Sequence, residues 1–96
     1  MTEKDSNTIH LHASDNVVAC KKTLMEGSTI LIMNKPVVIA VTVGIGHKLA
    51  CKDIARGEII FKYGVPIGKA TEYIPFGSHV HTHNIESNYI PTYLID

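Results

Sequence analysis

The chain contains no tryptophan and only two phenylalanines in 96 residues, so it lacks the aromatic platform on which single-stranded nucleic acids stack. Nine basic residues are cancelled by nine acidic ones, leaving no positive field to gather nucleic acid or an anionic membrane. There are just two cysteines, Cys20 and Cys51, too far apart for a CxxC pair. With no signal peptide or anchor in view, two such thiols imply a reducing, cytoplasmic setting. No apolar run approaches the roughly 20 residues that cross a bilayer as a helix. The length allows one domain with a modest core and no roomy internal cleft.

Histidine is the residue in excess, at six. Three of the six stand at alternate positions in Gly77-Ser78-His79-Val80-His81-Thr82-His83-Asn84, after a run rich in glycine and proline. In a strand, residues i, i+2 and i+4 share a face, which places the three imidazoles together. A straight strand would separate His79 from His83 by about 13 Å, at roughly 3.3 Å per residue. Metal–nitrogen bonds are only about 2.0–2.1 Å long. One ion therefore takes a neighbouring pair, His79 with His81 or His81 with His83, unless the strand bends. A third ligand then comes from elsewhere in the chain or from a partner. Ile9-His10-Leu11-His12-Ala13 alternates in the same way and reads as a half-buried strand with His10 and His12 on its solvated face.

An internal repeat organises the middle of the chain. Its copies start at Ala19, Ala50 and Ala70: an alanine, a few polar residues, a large aliphatic (Leu24, Ile54, Ile74), then a glycine three residues later (Gly27, Gly57, Gly77). A second aliphatic follows after three more (Ile30, Ile60, Val80). The spacing predicts a short helical turn that plugs the core, ended by a glycine in the left-handed region, with a strand leaving it. Cys20 and Cys51 each follow the repeat's alanine, which assigns them to core packing. Strands are predicted over 29–33, 37–43 and 58–63, with reversals at Asn34-Lys35-Pro36 and within 62–69. The result is a small, mostly β domain over 9–84. Residues 1–8 read as a frayed terminus. Residues 85–96, with Ile85, Tyr89, Ile90, Tyr93, Leu94 and Ile95, read as an apolar arm that packs on this domain or on a partner.

Five motifs in order carry a family resemblance: Asp15-Asn16-Val17, Gly46-His47-Lys48-Leu49-Ala50, Asp53-Ile54-Ala55-Arg56-Gly57, Lys62-Tyr63-Gly64-Val65-Pro66-Ile67-Gly68, and the histidine stretch 77–84. Together they resemble the amino-terminal SAF domain of the altronate/galactarate dehydratases, which implies a β-clip fold with short helical turns. In that family the domain is fused to a much larger catalytic part. The resemblance therefore implies a small subunit whose partner is a large catalytic dehydratase subunit, with homo-oligomers a possibility in isolation. The implied reaction is metal-supported β-elimination from a sugar acid, with iron(II) as the expected cofactor and D-altronate as the expected substrate.

On this resemblance His81, His83 and His47 are the catalytic candidates, and His81, His83 and His79 the metal candidates. Lys48, Lys62 and Asn84 are candidates for binding the substrate. His47 follows Gly44-Ile45-Gly46, where glycines allow an anion to approach the backbone. Asn84 either donates an amide hydrogen bond to substrate or caps its own turn. The alternatives are the small subunit of an (R)-sulfolactate sulfo-lyase or of a galactarate dehydratase, and a non-catalytic SAF scaffold or carbohydrate-binding module.

Overall fold

The structure, a computed structural model, describes residues 7–81 and 83–86. The rest of the frayed terminus and most of the apolar arm expected from the sequence lie outside the described residues. Nine short strands follow in order: β1 Thr8–Ile9, β2 Val17–Cys20, β3 Thr29–Ile32, β4 Lys35–Val38, β5 Lys48–Ala50, β6 Ile59–Lys62, β7 Val65–Ala70, β8 His79–Val80 and β9 Ile85–Glu86. They form a four-stranded sheet in the order β1-β2-β5-β8, a β3-β4 hairpin and a three-stranded β6-β7-β9 sheet, with every pairing antiparallel. The domain is mostly β, as the sequence implies. The first two residues of the expected arm, Ile85 and Glu86, pair with Ala70 and Lys69 of β7.

The expected helical turns are absent, because among the described residues there is no helix. Each repeat instead crosses the core in extended form, bridges to another copy, and reverses through a β-turn. In that turn the glycine occupies the third position, with φ of +85 to +87°, as a type II turn requires. The glycine was expected for this geometry; only the turn it closes is different. The plugging aliphatics are buried as expected, with Leu24, Ile54 and Ile74 all at 3% exposure or less.

The structure reveals four copies of the unit, one more than the sequence pattern shows. The additional copy is anchored at Ile39, plugged by Val43, turned at Gly46 and continued at Leu49, with the spacings of the other three. Its anchor is isoleucine rather than a small residue, so a pattern keyed on alanine passes over it. The true anchors are Cys20, Ile39, Ala50 and Ala70, all buried. Each bonds the turn of a partner copy: the Gly46, Gly27, Gly77 and Gly57 amides donate to the carbonyls of Cys20, Ile39, Ala50 and Ala70 respectively, all at 2.8 Å. Cys20 is therefore the counterpart of Ala50, not of Cys51, which is only half-buried and donates its S–H to the Asp15 carbonyl at 3.6 Å.

The copies join in pairs. Leu24 and Val43 exchange two backbone hydrogen bonds, as do Ile54 and Ile74. Each pair encloses one hairpin, β3-β4 in the first half and β6-β7 in the second. Both hairpins reverse through two residues of positive φ, Met33-Asn34 and Tyr63-Gly64, the signature of a type I′ turn. The chain is thus an internally duplicated pair of halves, each with its own apolar cluster. β5, which leaves the second copy and enters the third, joins them by pairing with β2 on one side and β8 on the other.

His10 and His12 do not lie on a strand, because β1 ends at Ile9. They brace the loop that carries Asp15. The His10 Nε2–H donates to the Asp15 carbonyl at 2.8 Å, and the His12 ring lies against Gly64. The buried Asp15 carboxylate accepts the Tyr63 and Gly64 amides at 2.8 and 2.7 Å, fixing the β6-β7 reversal.

Two of the turn glycines should respond differently to alanine. Gly57 has φ +86° and open space where a methyl group would stand, so Gly57→Ala should cost only the left-handed strain of about 1–2 kcal/mol. At Gly77 the same carbon would sit 2.7 Å from Val37 Cγ1, which adds an overpacking cost of about 1–3 kcal/mol. Urea unfolding should therefore rank Gly77→Ala clearly below Gly57→Ala, with Val37→Ala relieving part of the difference in the double variant.

Candidate functional site: a histidine cluster at the seam of the two halves

The turn of the second copy delivers His47 immediately after Gly46, and the exit strand of the fourth copy delivers His79 two residues after Gly77. β5 and β8 pair in the register Leu49 with His79 and Lys48 with Val80. That register brings the two histidines side by side: His47 Nδ1 and His79 Nε2 are 3.0 Å apart, within hydrogen-bond distance. After Val80 the strand ends and the chain bends at His81. The bend stacks the His81 ring on that of His79, with centroids 5.4 Å apart and planes 7° from parallel. It also brings the His81 ring within 5.1 Å of His47 and the His83 ring within 5.6 Å of His79, centroid to centroid.

Asn84 makes this bend. It is buried, its Oδ1 accepts the His81 amide and its Nδ2–H donates to the His79 carbonyl, both at 2.9 Å. Of the two roles open to Asn84 in the sequence, substrate contact or cap, the observed hydrogen bonds are those of a cap.

One ring nitrogen from each of His47, His79 and His81 lies within 4.8 Å of the others. Ligand nitrogens around a single ion with bonds of about 2.0–2.1 Å stand roughly 3–3.5 Å apart. The His47–His79 pair already has that spacing, and exposed His81 can close on them by side-chain rotation. Three imidazoles around one ion would leave further coordination positions open, as catalytic sites do and structural ones do not. Imidazole suits iron(II) as well as zinc, nickel or cobalt. The sequence pattern places His79, His81 and His83 in the metal set. The close trio substitutes His47 for His83, which stands outside it as an exposed neighbour of His79.

Burial lowers the pKa of His79, and the facing His47, His81, His83 and Lys48 lower it further. The ring is therefore held neutral, the form that can accept a proton or bind a metal. Lys48, half-buried in β5, has its ammonium pKa lowered by burial and then by Lys62. The Lys62 ammonium itself lies 5.2 Å from the Tyr63 ring centroid. Lys48 thus stands as a cation beside His79, with Lys62 near Lys48 in turn. Burial raises the pKa of both cysteines, which leaves them as thiols rather than nucleophiles.

A family model described as the altronate/galactarate dehydratase SAF domain matches residues 6–88. The chain belongs to that family. It is 44% identical over 80 residues to an altronate dehydratase of Escherichia coli strain K12, and 32% identical over 80 residues to one of Bacillus subtilis strain 168. In both cases the match covers 83% of this chain and 16% of the relative, so the chain spans about one sixth of those proteins. It is also 49% identical over 43 residues to the (2R)-sulfolactate sulfo-lyase subunit alpha of Chromohalobacter salexigens, covering 45% of this chain and 46% of that one. These relatives are lyases, and the family is one of dehydratase-type enzymes. Among the described residues no helix is long and apolar enough to cross a membrane.

Two outcomes test this geometry. His79 has a native pKa below its ordinary 6.5, so the unfolded chain binds more protons as pH falls from 6.5 through the lowered native value. The stability present above pH 6.5 is lost across that window, and His79→Asn should flatten the loss when urea midpoints are compared between pH 7.5 and pH 5. Removing the Asn84 amide leaves two backbone groups without partners. Asn84→Ala should destabilise by about 1–3 kcal/mol, whereas Asn84→Asp keeps the acceptor for His81 and should lose less.

Proposed function

We propose that this chain is the histidine-bearing component of a hydro-lyase that removes water from a sugar acid, with D-altronate as its substrate. A larger catalytic polypeptide completes the site. The observation that carries this reading is the convergence of His47, His79 and His81, with Lys48 beside His79 and Lys62 near Lys48. Membership of a dehydratase family supports it.

The chemical problem is a C2 proton next to a carboxylate, which is barely acidic. A divalent metal, iron(II) on this reading, would supply Lewis-acid stabilisation of the charge that develops on oxygen. His47, His79 and His81 would hold it, since the first two already have the spacing of a shared ion and the His81 nitrogen lies within 4.8 Å of both. Lys48 and Lys62 pair with the substrate carboxylate and orient C2 toward the cluster. His83, exposed beside His79 and outside the trio, carries the proton. An imidazole takes the C2 proton, and the C3 hydroxyl leaves as water after a proton is returned to it. The enol that remains tautomerises to the 2-keto-3-deoxy acid, so water is the only other product. Asn84 acts through the loop, by holding the backbone between His79 and His81.

A second reading is favoured by the match to a (2R)-sulfolactate sulfo-lyase subunit alpha. That relative's chain is about as short as this one, since 43 matched residues make up 46% of it. The elimination would be analogous, with the C3 sulfonate leaving as sulfite where the hydroxyl leaves as water.

Anaerobic assays with iron(II) decide between these readings. D-altronate should be dehydrated when this chain and its large partner are mixed, and this chain alone should be inactive. His79→Ala and His81→Ala should each lower kcat at least a hundredfold while leaving assembly intact. Full activity of the large polypeptide by itself would overturn the catalytic reading. Turnover of (2R)-sulfolactate in place of altronate would move the assignment to the second reading.

A further inference from the structure

A groove of about 530 Å³ runs along the seam between the two halves and ends at the histidine cluster. One wall is β4 with its continuation, from Val37 to Val41, and the other is the turn of the fourth copy, from Tyr73 to Ser78. Its floor is apolar and buried, formed by Val43, Leu49 and Ile74. Three apolar side chains on its rim stand largely in solvent: Val38 at 66%, Val41 at 53% and Tyr73 at 57%. His79, His83 and Asn84 close the far end.

Three properties indicate what belongs in it. The walls and floor are mainly aliphatic, which suits an apolar occupant better than a polyhydroxylated acid. Among the described residues β4 pairs only with β3, so its outer edge offers backbone groups to an added extended segment. The groove is also continuous with a site that is open to solvent, because His81 and His83 are both exposed. Water must be excluded there, and the remaining ligands supplied, by another body. A second copy of this chain would bring only the same groups again.

The relatives indicate the source of that body. In the altronate dehydratases the region matched here is 16% of the polypeptide, and everything else in those proteins lies outside it. We propose that the groove is the seat of the larger polypeptide that carries this remainder, which lays an extended apolar segment against β4. The segment fills the space between Val41 and Tyr73 and delivers its own catalytic groups beside His79 and His83. This rests on the reading that the chain acts within a dehydratase-type assembly.

Photocrosslinking in the native host tests it. p-Benzoylphenylalanine is placed at Val41, and at exposed Arg56 on the third turn as a control, and the adducts are identified by mass spectrometry. The expected result is an adduct from position 41, and not from 56, with a protein homologous to the unmatched five-sixths of the altronate dehydratases. An adduct with a second copy of this chain, an internal adduct with residues 87–96, or none at all overturns the proposal. As a second measurement, Val38→Lys with Val41→Asp should weaken association with that protein at least tenfold and leave the thermal midpoint of the isolated chain unchanged. Undiminished association would also overturn it. Crosslinking is read without substrate, so an assembly that forms but leaves altronate untouched would defeat the catalytic reading and not this one.

Discussion

The structure depends on a reciprocal pair of backbone hydrogen bonds made four times over. In each case the amide of a left-handed glycine reaches the carbonyl of a buried anchor, and the anchor's own amide bonds the residue after the glycine. With strands of only two to six residues, none of the ladders is long enough to hold a sheet alone. The turns do that by locking each entering strand to the exit of a partner copy. An aliphatic plug then sits in the core between anchor and turn. Glycine suits the position because its φ costs most other residues about 1–2 kcal/mol.

The histidine cluster follows from this scaffold. The residue after each turn glycine has its carbonyl committed to an anchor, so the backbone there is fixed while the side chain is free to vary. The four copies place Ser28, His47, Glu58 and Ser78 at this position. Only one is a ligand type with a histidine facing it, His79 from the next strand pairing. Burial, and then the crowding of imidazoles and Lys48, disfavour positive charge on His79. Its ring nitrogen thus keeps a free lone pair, the form in which imidazole can bind a metal ion.

Much of this is legible in the residues. The plug-to-glycine spacing identifies the core aliphatics, and the alternation of His79, His81 and His83 marks the site. What the sequence conceals is set by register. The additional copy is anchored by Ile39, whose side chain obscures the pattern, and without that copy nothing aligns His47 with His79. The bend at His81 depends on Asn84, a contact three residues away that periodicity does not encode. The helical turns are misread because an aliphatic followed by glycine at three residues fits a capped helix and a plugged β-turn equally well. The choice between them is made by backbone bonds to a distant copy, Leu24 with Val43 and Ile54 with Ile74. His10 and His12 likewise look like a strand face, whereas they buttress Asp15.

The internal duplication has a kinetic consequence. Each half closes on itself across a short stretch of chain, Leu24 to Val43 and Ile54 to Ile74, so the entropy of loop closure is modest and the halves can organise early. His47 and His79 are 32 residues apart and meet only where β5 pairs with β8. The cluster therefore draws one imidazole from each half. Whatever gripped both imidazoles would draw the folding equilibrium toward the domain in which the halves are joined, so that occupancy of this pair would act as a clasp on the tertiary structure.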